Sequence, residues 1–207
     1  MNIEILIGFI TATSLLAISP GPDNIYVLMQ SIANGRKYGI ATVAGLITGC
    51  LIHTTLVAFG ASTILKQNPK LFFTIKLLGA LYLVYLAYKV LKSSDEIELG
   101  GDAIPKKPVF ELFKQGFIMN VLNPKVTLFF LALFPGFLFS DTMSEVLQFY
   151  ILGIIFMIVS FIVFGAIAVF GGKISESIKK NKSIGKYMKW MQIAVFTGIA
   201  VYIMLTD

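Results

Sequence analysis

Long apolar runs separated by short polar ones organise the chain, at about Ile3 to Met29, Gly39 to Leu65, Leu71 to Leu91, Phe110 to Phe139, Val146 to Gly171 and Tyr187 to Leu205. A helix needs about 20 residues to cross ~30 Å of hydrocarbon, so every run is long enough to span a bilayer. The first and fourth runs are longer because each is interrupted, one by Ser19-Pro20-Gly21-Pro22-Asp23-Asn24 and the other by Asn123-Pro124-Lys125. In lipid a freed backbone N–H or C=O is costly unless protein or water satisfies it, so each break must line something polar. Paired interruptions at corresponding places in two halves are the sequence pattern of a secondary-transporter binding site.

Composition turns these runs into a membrane protein. Of 207 residues 57% are hydrophobic and 14% charged, against about 25% charged in soluble domains, and the mean hydropathy is +0.83. The predicted fold is all-α, with six transmembrane helices arranged as a 3+3 inverted repeat whose first and fourth helices are broken by the proline motifs. The first repeat covers residues 1–92. An acidic and glycine-containing stretch makes 93–109 a cytoplasmic linker, and 110–207 form the second repeat. Three spans per half give the halves opposite orientations. Pro22-Asp23 then matches Pro124-Lys125, and Phe59-Gly60-Ala61 matches Phe164-Gly165-Ala166.

The net charge of +6 does not indicate nucleic acid, because the basic residues cluster between the spans. Arg36 and Lys37, then Lys89, Lys92, Lys106, Lys107 and Lys114, then the lysines from Lys173 to Lys189 fall on one side; Lys66 and Lys70 fall on the other, with Lys76 slightly inside the third span. The positive-inside rule places the richer side in the cytoplasm and both termini outside. The first run lacks a basic leader and carries Glu4 and Pro-Gly-Pro, so it is expected to stay as a span. The lysine run could also attract anionic lipid. Tyr187 and Trp190 suit an interfacial anchor.

Around the breaks, the two prolines and Gly21 should unwind the first span, and a half-helix should restart with Gly21 as N-cap and Pro22 in its first turn. Asn123 and Pro124 repeat that arrangement. Two helix N-termini would then face the midplane, each suited to a carboxylate, while the carbonyls left near Ser19 and Leu122 suit an ammonium. Asp23 and Lys125 are the charged residues deep within the spans, at equivalent repeat positions. They either hold a zwitterion, Asp23 taking its ammonium and Lys125 its carboxylate, or lock the halves together as a plain salt bridge.

Asn24, Asn120 and Asn123 flank the breaks, where amides can cap helices or touch substrate. His53 shares a face with Gly45 and Gly49 and is either a packed neutral histidine or a proton relay lining the path. Tyr82 and Tyr85, with Tyr88, either line the path or sit at the interface. Glycines 45, 49, 60, 79, 153 and 165 allow close helix approach, and would also admit a homodimer. The single cysteine, Cys50, fits packing. No Walker motif, dinucleotide turn or metal-ligand cluster is present, so no metal, cofactor or ATP is expected.

These residues taken together resemble a known family. Ser19-Pro20-Gly21-Pro22, the glycine-spaced segment Gly39 to Gly49, Gly79-Ala80-x-Tyr82-Leu83-x-Tyr85-Leu86 and Asn123-Pro124-Lys125 resemble the LysE-type amino-acid exporters. The resemblance implies proton-driven export of amino acids or related small zwitterions across the bacterial inner membrane; Asp23, as the single carboxylate deep within a span, is the expected group for proton coupling. Apart from Glu111 at its start, the fourth span carries no further acidic residue for a cationic side chain, which favours neutral or hydroxylated cargo. The competing readings are an exporter of another solute or ion, and a sensor or assembly protein without a transport path. An intramembrane enzyme would need a second deep carboxylate or a nucleophile-base pair, and Asp23 stands alone.

Overall fold

The computed structural model describes residues 2–19, 21–61, 68–94, 105–181 and 183–205. Pro20, Lys66, Lys182 and the acidic part of the linker, Asp95 to Asp102, lie outside the described residues. The first apolar run is a pair of helices, α1 (Ile3–Ile18) and α2 (Pro22–Asn34). It is followed by α3 (Arg36–Leu56), which ends in a π-helical turn at Val57–Ala61, and by α4 (Pro69–Lys92). The second half repeats the order with α5 (Val109–Val121), α6 (Pro124–Leu133) and its 3-10 extension Phe134–Phe137, then α7 (Glu145–Lys180) and α8 (Ser183–Leu205).

Both breaks are real bends, of 59° between α1 and α2 and 51° between α5 and the α6 segment. Proline explains them, since Pro22 and Pro124 each occupy the first turn of the second half-helix, where the missing N–H costs nothing. Counting each bent pair as one span gives six, and no strand occurs among the described residues. The chain is an all-α, multi-pass membrane protein. The largest boundary difference from the sequence reading among the described residues is that α7 continues past Gly171 to Lys180. At 1.5 Å per residue this helix is roughly 54 Å long and outruns the hydrocarbon, so its last turns, with the exposed Glu176–Lys180 pair, stand in water.

Like packs on like: α3 lies against α7, and α4 against α8. Each upstream half-helix crosses to the other half, α5 onto α3 and α1 onto α7. Glycine sets the α3–α5 distance. A Cβ on Gly45 would overlap the Phe113 carbonyl, and one on Gly116 the Thr42 carbonyl, so the two backbones touch. Gly153 and Gly79 bring α7 to Thr54 and α4 to Ala132 in the same way. Gly60 and Gly165 do not behave as expected, since a Cβ on either would meet nothing within 4 Å among the described residues.

The two downstream half-helices are packed differently. α2 sits on α3 and α7, whereas α6 sits on α4. The half of the molecule toward which α6 runs, away from the lysine-rich loops, is filled by fully buried rings. Phe130 stacks on Phe134 at 4.0 Å, Phe9 meets Phe134 edge-on at 5.0 Å, and Phe156 meets Phe130 at 4.8 Å. This plug lies directly against the breaks.

Candidate functional site

The breaks meet. Gly21, Asp23 and Asn24 from the first and Asn123 and Lys125 from the second line one small cavity, joined by Asn120 of α5, Cys50 of α3 and Ser160 of α7. Phe156 closes the cavity toward the aromatic plug. Its volume of about 40 Å³ holds about three water molecules.

Each half-helix end is satisfied differently. The Asn24 side chain donates through Nδ2 to the Ala17 carbonyl at 2.8 Å, replacing a bond that α1 loses at its end. Asn123 works in both directions: its Oδ1 accepts from the Lys125 N–H at 3.0 Å, and its Nδ2 donates to the Asp23 carboxylate at 2.8 Å. Asn123 therefore fills the N-terminus of α6 that the sequence reading left open for a ligand. The N-terminus of α2 has no side-chain cap; Gly21 is extended there, and Ile25 N–H closes onto Gly21 O at 3.0 Å. The Ile25 amide is thus paired, and the open amides are those of Asp23 and Asn24.

Asp23 is buried and Lys125 half-buried, and their charges act on each other across the cavity. No direct ion pair joins them among the described residues. Lys125 instead rests its Nζ over the Phe196 ring at 5.0 Å from the centroid. A Cβ placed on Gly21 would lie 3.6 Å from that Nζ, so the ammonium sits at the uncapped start of α2. Two positive ends converge there, an arrangement that asks for an anion. Ser19 Oγ and Asn120 Oδ1 are buried without a hydrogen-bond partner, at the end of α1 and of α5 respectively. Unsatisfied polar groups of this kind are uncommon in native interiors and mark a place for water or ligand.

The other candidates fall outside the cavity wall. His53 lies one layer behind, its Nε2 donating to the Asn120 carbonyl at 3.0 Å. A carbonyl only accepts, so Nε2 carries the hydrogen and Nδ1 is left buried and unpaired. Tyr82 and Tyr85 lie on α4 away from the cavity, with ring centres 6.1 Å apart and Tyr85 52% exposed. Lys89 lies over Tyr85 and Lys92 over Tyr88, so this side of α4 forms an aromatic and basic anchor at the membrane surface.

Sequence reasoning missed two features. Ser160 is a hydroxyl amid apolar residues near the middle of α7 and lines the cavity; a polar residue inside a span was the available signal. Lys76, read as a marginal residue, is buried at 7% exposure, with its ammonium 5.7 Å from the Phe72 ring centre.

On the lysine-rich side a second, wider pocket of about 890 Å³ opens between α2, α7, α8 and the end of α4. Asn24 lines this pocket as well as the small cavity.

Residues 14–207 match the family model described as LysE type translocator. The chain is 31% identical over 184 residues to the homoserine/homoserine lactone efflux protein of Salmonella typhimurium, covering 89% of this chain and 88% of the relative. It is 27% identical over 192 residues to the leucine efflux protein of Klebsiella pneumoniae subsp. pneumoniae, covering 93% and 91%. No solved structure matches the chain. A family match over nearly the whole length, on a fold of apolar spans with two bent pairs, gives the identity: the chain belongs to the LysE type translocator family and is a multi-pass membrane transporter, not an enzyme.

Proposed function

We propose that this protein exports amino acids from the bacterial cytoplasm in exchange for protons, by alternating access to the cavity between its two broken helices. The observation that carries the reading is that Asp23 and Lys125 come from opposite breaks to one cavity and do not pair directly. A zwitterion completes what each lacks. The substrate ammonium joins Asp23, and its carboxylate joins Lys125 and the free amides at the start of α2. Proton binding to Asp23 from the far side would then displace the ammonium. The relatives named for leucine and homoserine efflux support amino acids as cargo.

The lysine-rich loops lie in the cytoplasm of an inner-membrane protein, with both termini outside. The open pocket and the aromatic plug then correspond to an inward-facing state. In the reverse state the halves 1–92 and 110–207, joined by the linker 93–109, exchange roles: α8 closes on α2 while α4 leaves α6.

Purified protein in liposomes should exchange radiolabelled leucine or homoserine across the membrane, and an outward proton gradient, with the liposome interior acidic, should drive accumulation. Asp23→Asn should abolish the pH-driven component. Proton coupling undiminished in that variant, or no exchange of any amino acid, overturns the reading.

A further inference from the structure

We infer that the wide pocket on the lysine-rich side is the side-chain subsite of the same transport site, and that it selects amino acids with long apolar side chains. The inference rests on the export reading above and deepens it. The polar cavity, at about 40 Å³, has room for little beyond the charged head of an amino acid. Whatever the α-carbon carries must lie elsewhere. Asn24 is the joint between the two spaces, since it lines both and is held in place by its bond to the Ala17 carbonyl.

Beyond Asn24 the walls are hydrocarbon: Ile25 and Leu28 of α2, Val163, Ile167 and Phe170 of α7, and Met188 of α8. Among the described residues Lys189 is the charged one in the lining, and its ammonium is tied to the Ser93 carbonyl at 2.7 Å, at the mouth. A cationic side chain finds no carboxylate among the described residues of this lining. A short polar one leaves apolar wall against water. A linear or branched alkyl chain buries it, at about 0.8 kcal/mol per methylene.

Size alone does not single this pocket out. A groove of about 800 Å³ runs between α1 and α8 on the opposite side, but none of its lining residues belongs to the polar cavity. Of these two large spaces, the lysine-rich pocket alone shares a lining residue, Asn24, with the charged site. Its volume of about 890 Å³ lies in the range of drug-sized ligand sites, so chains longer than that of leucine fit.

The test is competition against exchange of radiolabelled leucine in proteoliposomes by glycine, alanine, norvaline, norleucine and 2-aminooctanoate. The inhibitory concentration should fall about fourfold per added methylene, the equivalent of its transfer free energy. Ala166→Trp, which fills the pocket from α7, should raise the norleucine value at least tenfold more than the alanine value. Val201→Trp, exposed on α8 outside both pockets, should leave that ratio unchanged. Exchange that ignores chain length in the unaltered protein overturns the inference while leaving amino-acid export standing, and identifies the pocket as a lipid-filled gap. Equal losses for norleucine and alanine in Ala166→Trp overturn it in the same way. Absence of exchange for every amino acid overturns the export reading and this one with it.

Discussion

The two proline breaks share a plan and differ in one atom-level detail. At the second, Asn123 caps its own half-helix and reaches across to Asp23. At the first, the corresponding cap position is Gly21, which has no side chain, and the start of α2 stays open beside the Lys125 ammonium. The packing around them differs in parallel: α6 is held by α4, while α8 leaves a pocket next to α2. The second break is thus finished by its own sequence, and the first is the end that the proposed substrate would complete. A repeat whose copies were equally capped would have two equivalent ends and nothing to bind between them.

The largest effect should come from damaging the finished break. Asn123→Ala removes the α6 cap, worth about 0.5–2 kcal/mol, and a buried donor to a carboxylate, worth roughly 1.5–3 kcal/mol. Exchange should fall roughly 10- to 100-fold, because 1.4 kcal/mol is a factor of about ten. Full activity would mean that Asp23 does not depend on this donor. Next in size is the reverse change, finishing the open break. In Gly21→Ser the new Cβ would lie 3.6 Å from Lys125 Nζ and 3.9 Å from Asn24 Oδ1, ordinary contact distances. The hydroxyl can cap α2, which should change thermal stability by only a few tenths of a kcal/mol. Substrate affinity should nonetheless drop roughly tenfold, because a helix terminus in a partly buried site is worth up to ~2 kcal/mol to an anion. Unchanged affinity in a folded Gly21→Ser protein would remove the α2 N-terminus from the site.

A smaller effect tests the packing difference. A Cβ on Gly79 would lie 2.5 Å from that of Ala132, so Gly79→Ala strains the α4–α6 contact by about 1 kcal/mol or more. The proposed reverse state separates these helices and should gain about fivefold in population. A cysteine at Leu128, whose carbonyl is 3.7 Å from the Gly79 Cβ position, reports the change. Its labelling by an impermeant maleimide, added on the side of the chain termini, should quicken by a similar factor. Unaltered labelling would show that α4 and α6 do not part.

Most of the fold was legible because hydropathy and proline act locally. Six runs, two breaks and the N-cap positions of Gly21 and Asn123 follow from length, missing N–H groups and side-chain chemistry within a few residues. The meeting of Asp23 with Lys125 was legible too, from the cost of charge in lipid. The division of labour between the breaks was not, since it depends on which amide of Asn123 faces Asp23 once the halves have docked. Spacing alone left two readings open for the stripe on α4. Tyr82 and Tyr85 recur at a helical interval that suits either a path or an interface, and Lys89 and Lys92 lie over Tyr85 and Tyr88. Gly165 looks like Gly153, but among the described residues only Gly153 of the two has a neighbour to admit.

The smallest effect concerns His53, which stands behind the finished break. Its Nε2–H holds the Asn120 carbonyl, the last turn of α5 before the bend, while the ring packs 5.5 Å from that of Phe130. That places His53 as a support for the cavity wall, with the Asn120 side chain between it and the site. Losing one neutral buried hydrogen bond costs about 1 kcal/mol, and a further cost follows if the acceptor is left bare. His53→Ala should therefore lower the melting temperature in detergent and slow exchange a fewfold. His53→Gln, which can still donate to the carbonyl, should recover most of both. Neither variant should change the fraction of transport driven by a pH gradient, because Asp23 holds that role in the proposed cycle. If His53→Gln kept its stability but lost the pH-driven component, the histidine would be a proton carrier, and the two breaks would not by themselves make up the coupling site.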